Sequence, residues 1–163
     1  MASLLDTFHS AAATSNLAAW AGCFLAATSR FLGTDGTENW TAQSAVDAFA
    51  PHFAKSKCAW KYDPVPGSRI IDVFDCGAFA TFDERLQSES FRCTSRGTGV
   101  AVRGHDDCWF LHHYYLSFPI PNPLAKKMCF DIADWEAKSA ADKAVAELLA
   151  EETDSKKKGG GKR

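Results

Sequence analysis

Apolar positions recur at helical spacing up to about residue 56 and then alternate singly, which divides the chain into a helical front and a stranded middle. Leu4, Phe8 and Ala11/Ala12 form one stripe, flanked by Leu5, His9 and Ala12, and predict a helix over 3–15. Ser3 reads as its cap, and Asp6 suits the positive end of its dipole. Asn16 predicts the cap of a short helix carrying Leu17, Trp20 and Phe24. The chain then extends through Ser29, Arg30, Phe31 and Leu32 and turns at Gly33-Thr34-Asp35-Gly36. Thr41 opens a third helix with Val46, Phe49 and Phe53 on one face, and Pro51 is expected to end or kink it.

From Cys58 the period is that of strands. Trp60 and Tyr62 alternate with Lys61 and Asp63, and 64–67 turns the chain. Ile70–Phe74 is expected to pair with Ala78–Leu86 across Asp75-Cys76-Gly77, and Phe91–Val102 with Trp109–Phe118. The last strand stops at Pro119-Ile120-Pro121-Asn122. Ile132–Glu152 predicts an amphipathic helix, with Ile132, Trp135, Val145 and Leu148 close to one face and Asp134–Lys138 and Lys143–Glu147 as pairs four residues apart. The tail from Lys156 to Arg163 is low-complexity and is expected to be disordered. Helices followed by antiparallel strands make an α+β pattern.

The 163 residues suit one domain with a sizeable core. A net charge of −2 gives no general pull toward nucleic acid or an anionic membrane, so neither partner is expected. The basic tail could touch an acidic partner or RNA, although a solvated tail is the simpler reading. No basic-then-apolar leader opens the chain and no apolar stretch reaches membrane length, so a cytoplasmic location is expected. The six cysteines (Cys23, Cys58, Cys76, Cys93, Cys108 and Cys129) contain no C-x-x-C pair. That argues against a zinc site, and reduced, mostly buried thiols are expected, with Cys93 and Cys108 the pair to check for a bridge. No metal or cofactor is expected.

A set of motifs runs in order along the chain: Phe8-His9-x-Ala11-Ala12-Ala13, Phe31-Leu32-Gly33-Thr34-Asp35-x-x-Glu38-x-Trp40, Pro51-His52-Phe53, Trp60-x-Tyr62, Arg69, Phe82-Asp83-Glu84, Arg96-Gly97-Thr98-Gly99-Val100 and Pro119-Ile120-Pro121-Asn122. Together they resemble the SnoaL-like branch of the nuclear transport factor 2 (NTF2)-like superfamily. The resemblance implies a cone, in which a bent antiparallel sheet wraps around helices and a pocket opens at the wide end. It also implies homodimerisation through the outer sheet. On this reading residues 1–125 form the SnoaL-like domain, 126–153 a C-terminal amphipathic helix and 154–163 a disordered basic tail. The superfamily includes ketosteroid isomerase, polyketide cyclases, dehydratases and kinase association domains, and the full Tyr and two-Asp arrangement of ketosteroid isomerase is not reproduced here. The fold alone therefore does not give the function.

Several side chains could carry chemistry. Asp35 and Glu38, three residues apart and followed by Trp40, could face a pocket mouth and supply a general base, or could cap a turn and pair with an arginine. Arg96 lies inside a strand and is expected to be buried against Asp35, Glu38, Asp83 or Glu84, either bracing the fold or clamping an anionic ligand. Alternation places His113 and Tyr115 on the interior face with Trp109 and Leu111, so His113 could be an acid/base group or a hydrogen-bonded core residue. The opposite face, with Phe110, His112 and Tyr114, would then meet a dimer partner. His9 is expected to face inward toward Asp83 or Tyr62. Trp20, Trp40, Trp60 and Tyr62 could line an apolar pocket for a flat ligand or simply pack the core. The catalytic candidates are thus His113, Asp35 and His9, and the ligand-binding candidates Trp20, Asp35, Glu38, Trp40, Trp60, Tyr62, Arg96, His113 and Tyr115.

Two functions follow. One is a non-catalytic interaction or dimerisation module, part of a larger assembly. The other is a protein that binds a small apolar ligand, or an enzyme using carboxylate- or His-assisted proton transfer of isomerase, cyclase or dehydratase type. A cone filled by its own side chains beneath an apolar outer sheet favours the first, and an open pocket with ionisable groups the second.

Overall fold

Helix α1 (Ala2–Ala13) forms because Leu4, Leu5, Phe8, Ala11 and Ala12 make one continuous buried stripe. It starts before Ser3, so Met1 rather than Ser3 is the cap residue and no side chain caps it. Helix α2 (Leu17–Ala21) is capped as expected, with Asn16 Oδ1 accepting from the Ala19 N–H at 3.0 Å. Helix α3 (Ala42–Lys55) is capped by Thr41, whose Oγ1 accepts from the Ser44 N–H at 3.2 Å. Pro51 does not end α3, which runs four residues further to Lys55. The buried ring of Phe53, packed on Trp20 and Trp60, holds that last turn against the lost backbone bond.

The computed structural model describes residues 1–74 and 77–159, with side chains through 151. Asp75 and Cys76 of the expected first hairpin turn lie outside the described residues. The chain divides into one unit, Met1–Pro119, and a second from Ile120 onward. In the first unit the three helices accompany β1 (Arg30–Leu32), β2 (Asn39–Thr41), β3 (Asp63–Pro64), β4 (Ile70–Phe74), β5 (Phe79–Gln87), β6 (Thr94–Arg103) and β7 (Trp109–Ser117). They build a seven-stranded curved sheet of order β2-β1-β7-β6-β5-β3, with β4 also paired to β5. β1 and β7 run parallel, with Arg30 beside His113 and Phe31 beside Tyr114, so the sheet is mixed rather than wholly antiparallel. The expected strand through Trp60 and Tyr62 shrinks to Asp63–Pro64, because Trp60 packs on Phe49 and Phe53 of α3 instead.

One irregularity decides which side chains face inward. Val100 of β6 opposes His113 of β7, whereas Ala101 opposes Leu111. His112 is therefore an extra residue, a β-bulge, and a shift of one residue exchanges the two faces of a strand. Leu111, Tyr114 and Leu116 point into the core, and His113 and Tyr115 point outward. The simple alternation expected from Trp109 onward fails at this point.

Gly97 faces the interior where Tyr114 packs. A Cβ there would sit 2.6 Å from the Tyr114 hydroxyl and 3.2 Å from Leu86. We expect Gly97→Ala to cost about 1–3 kcal/mol by overpacking. In a Tyr114→Phe background the clashing oxygen is gone and the same change should cost markedly less. Urea denaturation of the four proteins in the cycle measures the difference, and an equal cost in both backgrounds would refute the steric account.

In the second unit, α4 (Asn122–Gly159) begins ten residues before the expected start at Ile132. Pro123 lies in the first turn, where a missing N–H costs nothing, and the Pro121 carbonyl accepts from the Leu124 and Ala125 N–H groups. Phe130, Ile132, Trp135, Val145 and Leu148 are all exposed. Thirteen residues separate Ile132 from Val145, about 3.6 turns, so these apolar residues do not share one face. Lys127 and Asp131 form an ion pair on α4 at 2.5 Å, and among the described residues the expected Asp134–Lys138 and Lys143–Glu147 pairs are not formed. The helix reaches Gly159, into the segment expected as a tail, and 160–163 lie outside the described residues.

Candidate functional site

Polar chemistry inside the first unit centres on Glu84. β5 turns Ala80, Phe82, Glu84 and Leu86 inward, so a carboxylate occupies a position that alternation reserves for the core. A wholly buried charge must be paired. His9 of α1, itself buried, places Nε2 2.5 Å from Glu84 Oε1. Arg69, just before β4, donates from Nε to Glu84 Oε2 at 2.8 Å and from Nη1 to Asp6 Oδ1 at 2.7 Å. Burial opposes the Arg69 charge, but the Asp6 and Glu84 carboxylates outweigh it and hold the guanidinium pKa above its ordinary value. Tyr114 packs nearby, and burial, then the Glu84 charge, push its hydroxyl pKa well up. His9 faces inward as expected, but toward Glu84 rather than Asp83 or Tyr62. Glu84 and Arg69, which complete this network, are not among the candidate site residues that the sequence suggests. The available signal was a glutamate in phase with Ala80, Phe82 and Leu86.

A second locus is an aromatic cavity of about 180 Å³. Phe31, Phe49, Trp60, Tyr62 and Phe91 wall it, and Glu38 contributes a carboxylate. Glu38 Oε2 accepts from the Asp35 N–H at 3.1 Å. Gly33 leaves room for this carboxylate, since a Cβ there would collide with Oε2. Of the expected ligand-binding residues, Glu38, Trp60 and Tyr62 come together here. Trp20 lies wholly buried in the core, and Trp40 stacks behind on Phe31, their centroids 6.1 Å apart. Asp35 is exposed on the turn, where its Oδ1 accepts from the Thr37 hydroxyl at 2.6 Å and the Thr37 N–H at 2.8 Å. Those bonds hold its pKa below the usual carboxylate value, which moves it away from a base working near neutrality.

The remaining candidates sit on the outer face of the sheet. Arg96 has the expected kind of partner, donating from Nε to Asp83 Oδ2 at 2.8 Å, but it is exposed rather than buried. Strand β6 turns Ser95 and Gly97 inward and so puts Arg96 out. His113 is half-buried there, and burial, then His112 and Arg30 beside it, lower its pKa. Tyr115 is exposed next to it. Arg96, His113 and Tyr115 are therefore not cavity residues. The cysteines also depart from expectation. Only Cys23 among those described is buried, its thiol pushed up to about 11 by that burial. Cys58, Cys93, Cys108 and Cys129 are exposed, and Cys93 and Cys108 are free rather than bridged.

The sequence profile of the SnoaL-like domain matches residues 1–121. The chain belongs to the SnoaL-like domain family. No curated protein matches it. Among solved structures, this SnoaL-like chain is similar to an NTF2-like protein of unknown function from Shewanella oneidensis MR-1, with a TM-score of 0.58 and 14% identity over 71% of this chain and 94% of that one. A candidate ketosteroid isomerase from Shewanella frigidimarina gives 0.55 at 19% identity, covering 71% and 92%. A candidate calcium/calmodulin-dependent protein kinase II association domain from Xanthomonas campestris gives 0.54 at 21%, covering 74% and 86%. At these identities the likeness establishes the NTF2-like fold and nothing of the chemistry. The SnoaL-like match ends one residue before α4 begins. Among the described residues no helix is long and apolar enough to cross a membrane.

Proposed function

We propose that this SnoaL-like domain is a non-catalytic interaction module that pairs with a second copy through its outer sheet face and works in a larger cytoplasmic assembly. The carrying observation is a contrast between the two faces of the sheet. Inside, Phe8, Trp20, Phe24, Phe31, Phe53 and Tyr114 fill the space with mutually packed rings. Outside, Ile70, Phe74 and Tyr115 are 58%, 44% and 44% exposed. Val100, Val102 and Phe110 lie half-buried on the same face. A second copy would cover this surface. The dimer face thus carries Phe110, His113 and Tyr115, with Tyr114 turned into the core. Phe130, Trp135 and Leu148, exposed on α4, support a further protein partner, and the free thiols fit a reducing compartment.

The proton-transfer alternative has less support. Asp35 is bound into its own turn, His113 faces outward, and His9 is already engaged by Glu84. Light scattering at micromolar concentration tests the module. The expected mass is that of two chains, falling to one for Tyr115→Glu while far-UV circular dichroism shows the fold retained. A wild-type monomer would overturn the reading.

A further inference from the structure

Independently of pairing, we propose that the aromatic cavity binds a small organic cation, a methylated ammonium compound, with Glu38 as its counter-charge. Three observations carry this. The first is size. A volume of about 180 Å³ corresponds to roughly six waters and lies below the ~300–1,000 Å³ typical of sites for drug-sized ligands. That volume suits a compact head group better than a steroid-sized polycycle.

The second is the wall. Phe31 and Phe49 meet at 81° with centroids 5.6 Å apart, and Phe49 and Trp60 at 64° with centroids 5.0 Å apart. These two pairs meet at steep angles, while Phe31 itself is backed by Trp40 and Tyr114 in stacked contact, and Tyr62 and Phe91 complete the lining. Aromatic faces carry partial negative charge and attract a cation, most strongly where water is displaced.

The third is the charge. Glu38 lines the cavity, yet no lysine, arginine or histidine pairs with it among the described residues. Its hydrogen bond is to a backbone N–H. A neutral apolar ligand would strip water from this carboxylate and return nothing. An anion would be repelled by it. A methylated ammonium matches both the carboxylate and the rings, and it gives up less hydration than a bare ammonium.

Calorimetric titration of the full chain with choline chloride, at ionic strength matched with sodium chloride, tests this. The control ligand is the uncharged isostere of choline in which carbon replaces the quaternary nitrogen. We expect saturable choline binding at least about tenfold tighter than that of the isostere. Glu38→Gln keeps an acceptor for the Asp35 N–H but removes the charge. It should weaken choline about tenfold and leave the isostere unchanged. The comparison on the wild-type protein needs no variant to fold. Equal affinity for choline and its isostere, or no saturable choline binding, would overturn the proposal. Neither result bears on the dimer, which the light-scattering mass tests separately.

Discussion

Glu84→Ala is expected to lower the free energy of unfolding by about 3–5 kcal/mol, the range for breaking a buried ion pair by removing one partner. The size of the effect comes less from lost attraction than from what remains. His9 is buried and loses the carboxylate at its Nε2, and the Arg69 Nε loses its acceptor. Both groups are then left desolvated, and a void opens beside Tyr114. Glu84→Gln keeps the shape and part of the hydrogen bonding, and should cost about 1–3 kcal/mol. The other end of the network is a contrast. Asp6 is 65% exposed in its bond to Arg69, so Asp6→Ala should cost under about 1 kcal/mol. Urea denaturation followed by circular dichroism orders the three variants. A Glu84→Ala cost below that of Asp6→Ala would show that the buried network contributes no more than a surface pair.

What the sequence disclosed, and what it did not, follows from the range of the forces involved. Helical stripes, the Asn16 and Thr41 caps and both β-hairpins rest on neighbours within a few residues, and all of these elements formed. The Asn122-Pro123 helix start is an equally local signal, but it rests on a proline in the first turn and not on the apolar spacing that predicts the helix from Ile132. The bulge at His112 was not legible. It depends on fitting β7 against β6 and β1 at once, and no residue at His112 announces it. That single extra residue moved His113 and Tyr115 from the cavity to the outer face. Arg96 illustrates the same limit. Its carboxylate partner could be named from the segment containing Asp83, but its exposure depended on the phase of β6, which Gly97 sets by packing against Tyr114. The aromatic cavity is partly legible, since the sequence marks Trp60 and Tyr62 as pocket aromatics and Glu38 as a carboxylate at a pocket mouth. Phe31, Phe49 and Phe91 looked like ordinary core or strand residues and joined it only through the fold.

Trp20→Ala should cost about 3–5 kcal/mol, because the indole stands at the centre of the ring cluster and its loss leaves a large void. Trp20 is wholly buried and stacks on Phe8 at 5.5 Å. It meets Phe24 at 5.2 Å, Phe31 at 5.7 Å, and Phe49, Phe53 and Trp60 each at 5.8 Å. Helices α1 and α3 and strand β1 all touch this one side chain of α2, so no single element can move in to close the gap. Trp20→Phe should be far milder. The indole Nε1 is buried with no protein acceptor among the described residues. Removing that donor relieves a penalty of about 1–3 kcal/mol, which offsets much of the lost ring volume. Phe31, Phe49 and Trp60 also wall the aromatic cavity. Trp20→Ala should therefore weaken choline binding along with stability, whereas Glu38→Gln should weaken binding alone. Urea denaturation and choline titration on the same samples separate the two. If Trp20→Ala came within about 1 kcal/mol of wild type, the cluster would be repacking freely and the fixed geometry assigned to the cavity walls would fall with it.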